Sequence, residues 1–210
     1  MKVEDVQKVT VILRGYNYNQ VKTIAEAMLK SNIRSMEITT NSPDAFETAK
    51  KIASEYKDIF VGLGTILNSK HVEKAIEANV DFILTPIILD KENIEKCRKN
   101  GIVTVISALT PSEINLVRNY NADIIKIFPA KNVGYDYAKA VKAPLGQKIK
   151  LMAVGGVNKD NAKAFMNGGY DYLGVGSSMF NHEDIVNGNI DNLVKSLKAF
   201  EEKLGVSDGE

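Results

Sequence analysis

Short apolar runs rich in β-branched residues recur along the whole chain, separated by segments whose apolar positions have helical spacing. Runs of this length and composition predict β-strands. Eight strands are predicted in this way: Val9–Leu13, Ser35–Thr39, Phe60–Leu63, Asp81–Thr85, Ile102–Ile106, Asp123–Phe128, Ile149–Val154 and Tyr170–Val175. No low-complexity tract or Pro/Gly/Ser-rich linker interrupts them, which indicates one continuous repeating architecture.

Amphipathic stretches separate the predicted strands, and Ser, Thr, Asp or Asn stands in the helix-capping position before several of them. Helices are predicted over Asn19–Ser31, Pro43–Tyr56, Ser69–Ala78, Lys91–Asn100, Pro111–Tyr120 and Asn161–Asn167. Strict β-α alternation implies a parallel sheet, either an open doubly wound sheet or a closed barrel. Eight repeats of roughly 25 residues favour a single-domain TIM (β/α)8 barrel over residues 1–204, with a frayed tail at 205–210.

Composition and charge narrow the classes of function. The chain has 210 residues, of which 44% are hydrophobic, enough for a substantial core. The 27 Lys and Arg against 26 Asp and Glu exclude the broad basic field of a nucleic-acid-binding protein. The amino terminus fits neither a signal peptide nor a membrane span, so we expect a cytoplasmic protein with no membrane partner. Cys97 is expected to be an inert thiol on a Lys/Glu-rich helix.

Polar residues and glycines follow several predicted strands at the barrel end where enzymes of this architecture place their active sites. The polar and apolar residues at these strand ends are Arg14, Glu37, Thr65, Thr85, Lys126 and Val154. Gly155-Gly156 follows the seventh strand and Gly176-Ser177-Ser178 follows the eighth. These two loops commonly bind phosphate through backbone N–H groups, which a glycine lets approach the anion closely.

Lys126 lies in a strand that is otherwise apolar, Ile124–Phe128. Burial of an ammonium costs several kcal/mol unless it is paired or neutral, and desolvation lowers the pKa of a lysine. A neutral amine can attack a ketone to give an iminium, so this pattern predicts a nucleophile. The alternative is a lysine that reaches water at a strand end.

Glu37 and Arg14 are the other charged residues at these strand ends. Glu37 stands between apolar residues on the second strand and is a candidate proton-transfer group, with a salt bridge to Lys126 or Arg14 as the alternative. Arg14 ends the first strand, and its planar guanidinium suits a substrate carboxylate. The alternative for Arg14 is a surface arginine.

Eight motifs, in order along nearly the whole chain, resemble the family of KDPG (2-keto-3-deoxy-6-phosphogluconate) and KDPGal (2-keto-3-deoxy-6-phosphogalactonate) aldolases. They are Ile12-Leu13-Arg14-Gly15, Met36-Glu37-Ile38 with Asn41-Ser42-Pro43, Gly62-Leu63-Gly64-Thr65-Ile66-Leu67, Thr85-Pro86, Thr110-Pro111-Ser112-Glu113, Lys126-Ile127-Phe128-Pro129-Ala130, Gly155-Gly156-Val157-Asn158 and Gly174-Val175-Gly176-Ser177. A single motif would be weak support. All of them in order are a specific resemblance.

The resemblance implies a class I aldolase in a homotrimer of barrels, without a cofactor or metal. Lys126 would form the Schiff base with a phosphorylated keto acid and Glu37 would move protons. The family's carboxylate-binding arginine lies on strand one or in the strand-two motif, where this chain has Asn41, which leaves Arg14. The expected substrate-binding residues are Arg14, Thr65, Pro86, Phe128, Val154, Gly155, Gly156, Gly176 and Ser177.

The chain departs from the family pattern at three places. Ile106-Ser107 replaces the usual Pro-Gly before the fifth helix, which leaves the conformation of that loop open. Ile87 follows Pro86 and is expected to narrow or redirect the mouth of the site. Ala153–Gly156 resembles the KDPGal branch, whereas Lys142–Met152 resembles many KDPG enzymes, so the epimer at C4 stays open.

Three other functions are alternatives to this one. A metal-dependent epimerase or class II aldolase needs clustered His and carboxylate ligands, but the only histidines are His71, predicted on a surface helix, and His182, predicted in a loop. A catalytically silent barrel could bind a sugar phosphate as a sensor or scaffold. An aldolase acting mainly on 4-hydroxy-2-oxoglutarate is the third alternative.

Overall fold

Eight parallel strands form a closed barrel in the computed structural model, which describes residues 6–205. The strands are β1 Val9–Leu13, β2 Ser35–Thr39, β3 Phe60–Gly64, β4 Phe82–Leu84, β5 Val103–Ser107, β6 Ile124–Ile127, β7 Leu151–Val154 and β8 Tyr172–Val175. Each strand pairs with the next in the chain, and β8 pairs with β1 to close the barrel. The predicted single-domain TIM barrel is confirmed.

Helices alternate with the strands and cover the outside of the barrel. They are α1 Tyr18–Met28, α2 Ala45–Glu55, α3 Ser69–Glu77, α4 Lys91–Lys99, α5 Pro111–Asn119, α6 Tyr137–Leu145, α7 Ala162–Asn167, α8 His182–Val186 and α9 Ile190–Leu204. The predicted caps are present, because the side chains of Asn68, Asp90 and Thr110 each accept a backbone N–H of the first turn. Helices α6, α8 and α9 were not among the predicted helices.

Two apolar layers hold the barrel together. The outer layer lies between strands and helices and takes the outward-facing side chains of the strands. The inner layer fills the barrel and includes Phe82, Leu84, Val105, Ile124 and Met152. Because the inside of an eight-stranded barrel is packed with side chains, a polar group that points inward at the carboxyl end is positioned by this core.

Three aspartates close the amino end of the barrel. Each precedes an even-numbered strand and accepts a hydrogen bond from a backbone N–H of the preceding strand. The pairs are Val61 with Asp81 at 2.8 Å, Thr104 with Asp123 at 2.9 Å and Leu151 with Asp171 at 2.8 Å. The strands predicted to start at Asp81 and Asp123 begin one residue later in the structure, at Phe82 and Ile124.

The last described helix ends close to the carboxyl end of the chain. Helix α9 ends at Leu204, and Gly205 adopts the left-handed conformation of a helix C-cap. The rest of the predicted tail, residues 206–210, lies outside the described residues. Among residues 6–205, no helix has the length and apolar character needed to cross a membrane.

Candidate active site

A cavity of about 300 Å³ opens at the carboxyl end of the barrel. All eleven residues predicted from the sequence line it, namely Arg14, Glu37, Thr65, Pro86, Lys126, Phe128, Val154, Gly155, Gly156, Gly176 and Ser177. They come from seven strand ends, so only closure of the barrel brings them together. Thr85, which was predicted at the same end, is buried and does not line the cavity.

Lys126 is held on β6 with only 5% of its surface exposed. Burial lowers the pKa of its amine, the Arg14 charge adds to this shift, and the Glu37 charge opposes it. Nζ lies 4.9 Å from the centre of the Phe128 ring. Of the two buried lysines in residues 6–205, Lys142 forms an ion pair with Asp171 at 2.7 Å, while Lys126 forms none. Lys126 is therefore a desolvated amine in an open cavity.

Glu37 lies on β2 with 2% of its surface exposed. Its Oε2 atom is buried and has no hydrogen-bond partner in the described chain. Burial raises the pKa of this carboxyl, and the charges of Lys126 and Arg14 oppose the shift without forming an ion pair with it. A buried carboxyl with a raised pKa and a free oxygen can exchange protons with a molecule in the cavity.

Gly64, the last residue of β3, makes the room that the Glu37 carboxyl occupies. A Cβ placed on Gly64 would overlap Oε1 of Glu37. Two other inward-facing glycines also leave no room for a side chain. A Cβ on Gly62 would overlap the Phe82 ring, and one on Gly174 would press against Val154. Glycines on the inner face of the barrel therefore set where the side chains of Glu37, Phe82 and Val154 lie.

The Gly64→Ala substitution is expected to displace the Glu37 carboxyl and lower turnover about 10²-fold, because a proton-transfer group must lie within hydrogen-bond reach of its proton. Overpacking should also lower the free energy of unfolding by about 1–3 kcal/mol. Steady-state kinetics and thermal unfolding measure the two effects. If the Gly64→Ala variant kept the turnover of the parent protein, the position of the Glu37 carboxyl would not matter for catalysis. The double change Gly64→Ala with Glu37→Ala should recover stability, since alanine removes the Glu37 atoms that the new Cβ would overlap.

Arg14 directly follows β1 at the rim of the cavity. It is exposed, and one of its guanidinium N–H groups donates to Oδ1 of Asn41 at 2.9 Å. The described chain gives it no carboxylate partner. The guanidinium thus keeps its charge and most of its donors available at the edge of the cavity.

The two glycine-containing loops form one wall of the cavity. Gly155 and Gly156 both have positive φ, at 92° and 85°, which favours glycine. The Ser178 hydroxyl donates to the Val157 carbonyl at 2.7 Å and joins the β8 loop to the β7 loop. Ser178, predicted in the loop after β8, also lines the cavity, and sequence reasoning missed four lining residues: Ile12, Val157, Asn158 and Gly174. Two-residue alternation from Arg14 and Gly176 would have found Ile12 and Gly174.

The departures from the family pattern lie beside the cavity. The Ser107 backbone N–H donates to the Thr85 hydroxyl at 3.0 Å, and that hydroxyl donates to the Ile87 carbonyl at 2.6 Å. The side chain of Ile87 is 48% exposed and does not line the cavity. The expectation that Ile87 narrows the cavity is therefore wrong: the hydrogen bond from Thr85 holds the Ile87 backbone, while its side chain faces solvent.

Neither histidine nor the cysteine lines the cavity. His71 lies on α3 as predicted, partly buried against the Phe46 ring. The prediction of a loop for His182 is wrong, because Asn181 caps the short helix α8 that begins at His182. Cys97 is buried on α4, and burial raises the pKa of its thiol to about 12, so the thiolate is scarce at neutral pH.

A buried lysine and a buried carboxyl in one cavity at the carboxyl end of a closed (β/α)8 barrel define a barrel enzyme. The aldolase family model described as KDPG and KHG aldolase matches residues 2–196. The chain therefore belongs to this family, whose members are carbon–carbon lyases.

Known relatives agree over nearly the full length. The 2-dehydro-3-deoxy-6-phosphogalactonate aldolase of Escherichia coli is 28% identical over 92% of this chain and 94% of its own. A solved native KDPGal structure superposes with a TM-score of 0.86 at 26% identity, covering 98% of this chain and 100% of its own. A KDPG aldolase from Legionella pneumophila, solved with pyruvate as a covalent carbinolamine, has a TM-score of 0.84 at 21% identity, covering 98% and 97%.

Proposed function

We propose that this aldolase cleaves a phosphorylated 2-keto-3-deoxy sugar acid, KDPG or KDPGal, to pyruvate and glyceraldehyde 3-phosphate through a Schiff base on Lys126. One observation carries the proposal. Lys126 is a buried amine with a lowered pKa and no ion pair, and it faces a cavity that also contains a buried carboxyl. Such an amine is a nucleophile towards a ketone.

The chemistry uses two groups of the chain. Neutral Lys126 attacks the C2 ketone, and loss of water from the carbinolamine gives an iminium. Glu37 takes the proton of the C4 hydroxyl, and the C3–C4 bond breaks to release the aldehyde. The electron pair of the broken bond moves to the iminium to give an enamine. The enamine is protonated at C3, and hydrolysis of the imine frees pyruvate and Lys126.

The rest of the cavity binds the two ends of the substrate. Arg14 is assigned the carboxylate, because its charge is unpaired at the rim. The backbone N–H groups around Gly155, Gly156, Gly176 and Ser177 are assigned the phosphate. The walls between them are Thr65, Pro86, Phe128 and Val154, which would contact the carbon chain.

Reduction with borohydride in the presence of pyruvate tests the proposal. A Schiff base would be reduced to a stable secondary amine, so mass spectrometry should find a pyruvate-derived mass on Lys126. A silent sugar-phosphate-binding barrel would gain no adduct. Adduct on a different lysine would overturn the mechanism. A carbinolamine with pyruvate, as in the Legionella relative, is the first intermediate on the proposed route.

A side-by-side cleavage assay separates the candidate substrates. We expect KDPG and KDPGal to be cleaved with higher kcat/KM than 4-hydroxy-2-oxoglutarate, because the latter has no phosphate for the glycine loops. Val154 favours the galactonate epimer. Preference for 4-hydroxy-2-oxoglutarate would replace the proposed substrate while keeping the Schiff-base chemistry.

The Val154→Thr substitution is expected to shift the ratio of kcat/KM values towards the gluconate epimer by roughly 1 kcal/mol or more. Val154 lies at the carboxyl end of β7 and faces the cavity, where it cannot hydrogen-bond a substrate hydroxyl. Threonine has nearly the same shape and adds one hydroxyl. The two epimers are compared in both proteins. If the parent already prefers KDPG by more than about tenfold, or roughly 1.4 kcal/mol, the role given to Val154 is wrong.

The proposal includes a homotrimer in the cytoplasm that needs no cofactor and binds no nucleic acid. The family resemblance supports the trimer. Two exposed apolar side chains, Leu67 and Ile87, lie after the adjacent strands β3 and β4 and supply apolar surface for such an interface. Sedimentation equilibrium measures the assembly, and a mass of three chains is expected. A monomer over the whole concentration range would contradict the proposed trimer.

A further inference from the structure

We propose that Asn41 is a positioning residue. It orients the guanidinium of Arg14 towards the substrate carboxylate without neutralising the charge of the arginine. This inference deepens the proposed function and depends on the role that it gives to Arg14. It begins from the one hydrogen bond that joins the two side chains, from Arg14 Nη1 to Asn41 Oδ1 at 2.9 Å.

The backbone around Asn41 is fixed independently of that bond. Asn41 lies two residues after the end of β2, and its neighbour Ser42 accepts a hydrogen bond from the Gly15 backbone N–H at 2.8 Å. The Ser42 hydroxyl is also 3.1 Å from that of Thr39, inside the barrel rim. The β1 and β2 loops are therefore tied through Ser42. The Asn41 amide is left to hold the arginine side chain.

The chemistry of the amide explains why asparagine suits this place. An amide oxygen accepts from a guanidinium without adding a negative charge, and it occupies one of five N–H donors. The remaining donors can bind a carboxylate in a bidentate pair. The charge of Arg14 also reaches into the cavity, where it lowers the pKa of both Lys126 and Glu37. An ion-pairing partner at position 41 would weaken this charge.

The inference predicts different results for two substitutions. Asn41→Ala removes the hold on Arg14, and we expect the pyruvate concentration for half-maximal borohydride trapping to rise about tenfold, the equivalent of one lost charge-assisted hydrogen bond. Asn41→Asp keeps a hydrogen-bond acceptor but adds a charge that pairs with Arg14 and repels the substrate carboxylate. We expect a further loss of about tenfold, and high salt should relieve part of it.

Acetone is the probe that separates positioning from general damage. It forms an imine with an amine but carries no carboxylate, so its trapping on Lys126 should stay unchanged in Asn41→Ala. In Asn41→Asp it should fall far less than pyruvate trapping, because only the effect of the weakened Arg14 charge on the Lys126 amine remains. A merely structural role for Asn41 would alter acetone and pyruvate trapping alike. Asn167, exposed at the end of α7, provides matched controls, because Asn167→Ala and Asn167→Asp make the same chemical changes outside the cavity lining.

The outcomes are distinct from those of the proposed function. An unchanged half-saturating pyruvate concentration in Asn41→Ala would overturn the inference, and equal defects in the Ala and Asp variants would overturn the argument about charge. Thermal unfolding should be unchanged in both variants, since Asn41 is exposed. Failure of the parent protein to trap pyruvate at all would instead reject the Schiff-base function itself.

Discussion

The Lys126→Met chain is expected to lose all measurable cleavage and all pyruvate-dependent trapping, the largest effect of any substitution considered. Methionine fills the same apolar position but offers no amine, so no iminium can form. The fold should persist, with a melting temperature within a few degrees of the parent, because a desolvated amine is replaced by an apolar group. Cleavage of KDPG and KDPGal, trapping and thermal unfolding measure these results.

Lys142 is the matched control, since it is the other buried lysine of the described chain. It donates to the Gly169 carbonyl and pairs with Asp171, both at 2.7 Å. Lys142→Met should therefore lower the free energy of unfolding by about 2 kcal/mol or more while leaving pyruvate trapping intact. Loss of trapping in the Lys142 variant alone, with the Lys126 variant active, would contradict the mechanism.

The pH dependence of trapping follows from the same lysine. Burial lowers the pKa of Lys126, so the neutral amine becomes abundant as pH rises through this lowered value. The rate of trapping in the parent should rise with pH and level off below about pH 10.4, the ordinary lysine value. A midpoint at the ordinary value would mean that Lys126 is solvated when it reacts.

The Glu37→Gln substitution is expected to lower kcat by about 10²-fold or more and to slow trapping. Glutamine keeps the shape of the side chain but cannot take or return a proton at neutral pH. Steady-state cleavage and the rate of adduct formation measure the two steps separately. Near-normal turnover would give Glu37 a purely structural role.

Glu201 supplies the control for this change, because it is a second buried glutamate with an ordinary structural task. Its Oε1 accepts the backbone N–H groups of Asn32 and Ile33 at 2.6 and 3.2 Å. Glu201→Gln removes a charged acceptor and should lower the melting temperature while leaving turnover intact. The contrast separates loss of a buried charge from loss of a proton carrier.

Much of this fold was predictable, because parallel barrel strands are short and apolar on both faces. The lining residues could be predicted from strand ends and from the family motifs. The role of Gly64 could not, since the sequence does not show that its missing Cβ leaves room for Glu37. The outward exposure of Ile87 likewise depends on the hydrogen bond from Thr85, whose hydroxyl is itself held by the backbone N–H of Ser107 on β5.

A sequence pattern precedes each of the aspartates at the amino end of the barrel. Each stands two residues after an Asn or Gly with positive φ, so an Asn/Gly-x-Asp pattern recurs before even-numbered strands. The pattern has little meaning by itself, because Asn-x-Asp also occurs in ordinary turns. Its value appears only when the strand order is known, as the acceptor and donor belong to neighbouring strands.

The aspartates at the amino end make the barrel less dependent on the loops at its other end. Asp81, Asp123 and Asp171 join strands without help from any loop at the catalytic end, so changes in those loops leave these strand-to-strand ties in place. Pro86 and Ile87, between β4 and α4, can therefore be varied in the laboratory with small losses of folding yield. New aldehyde acceptors become accessible to a scaffold whose amine and proton carrier stay fixed, which makes this chain a starting point for directed evolution of carbon–carbon bond formation.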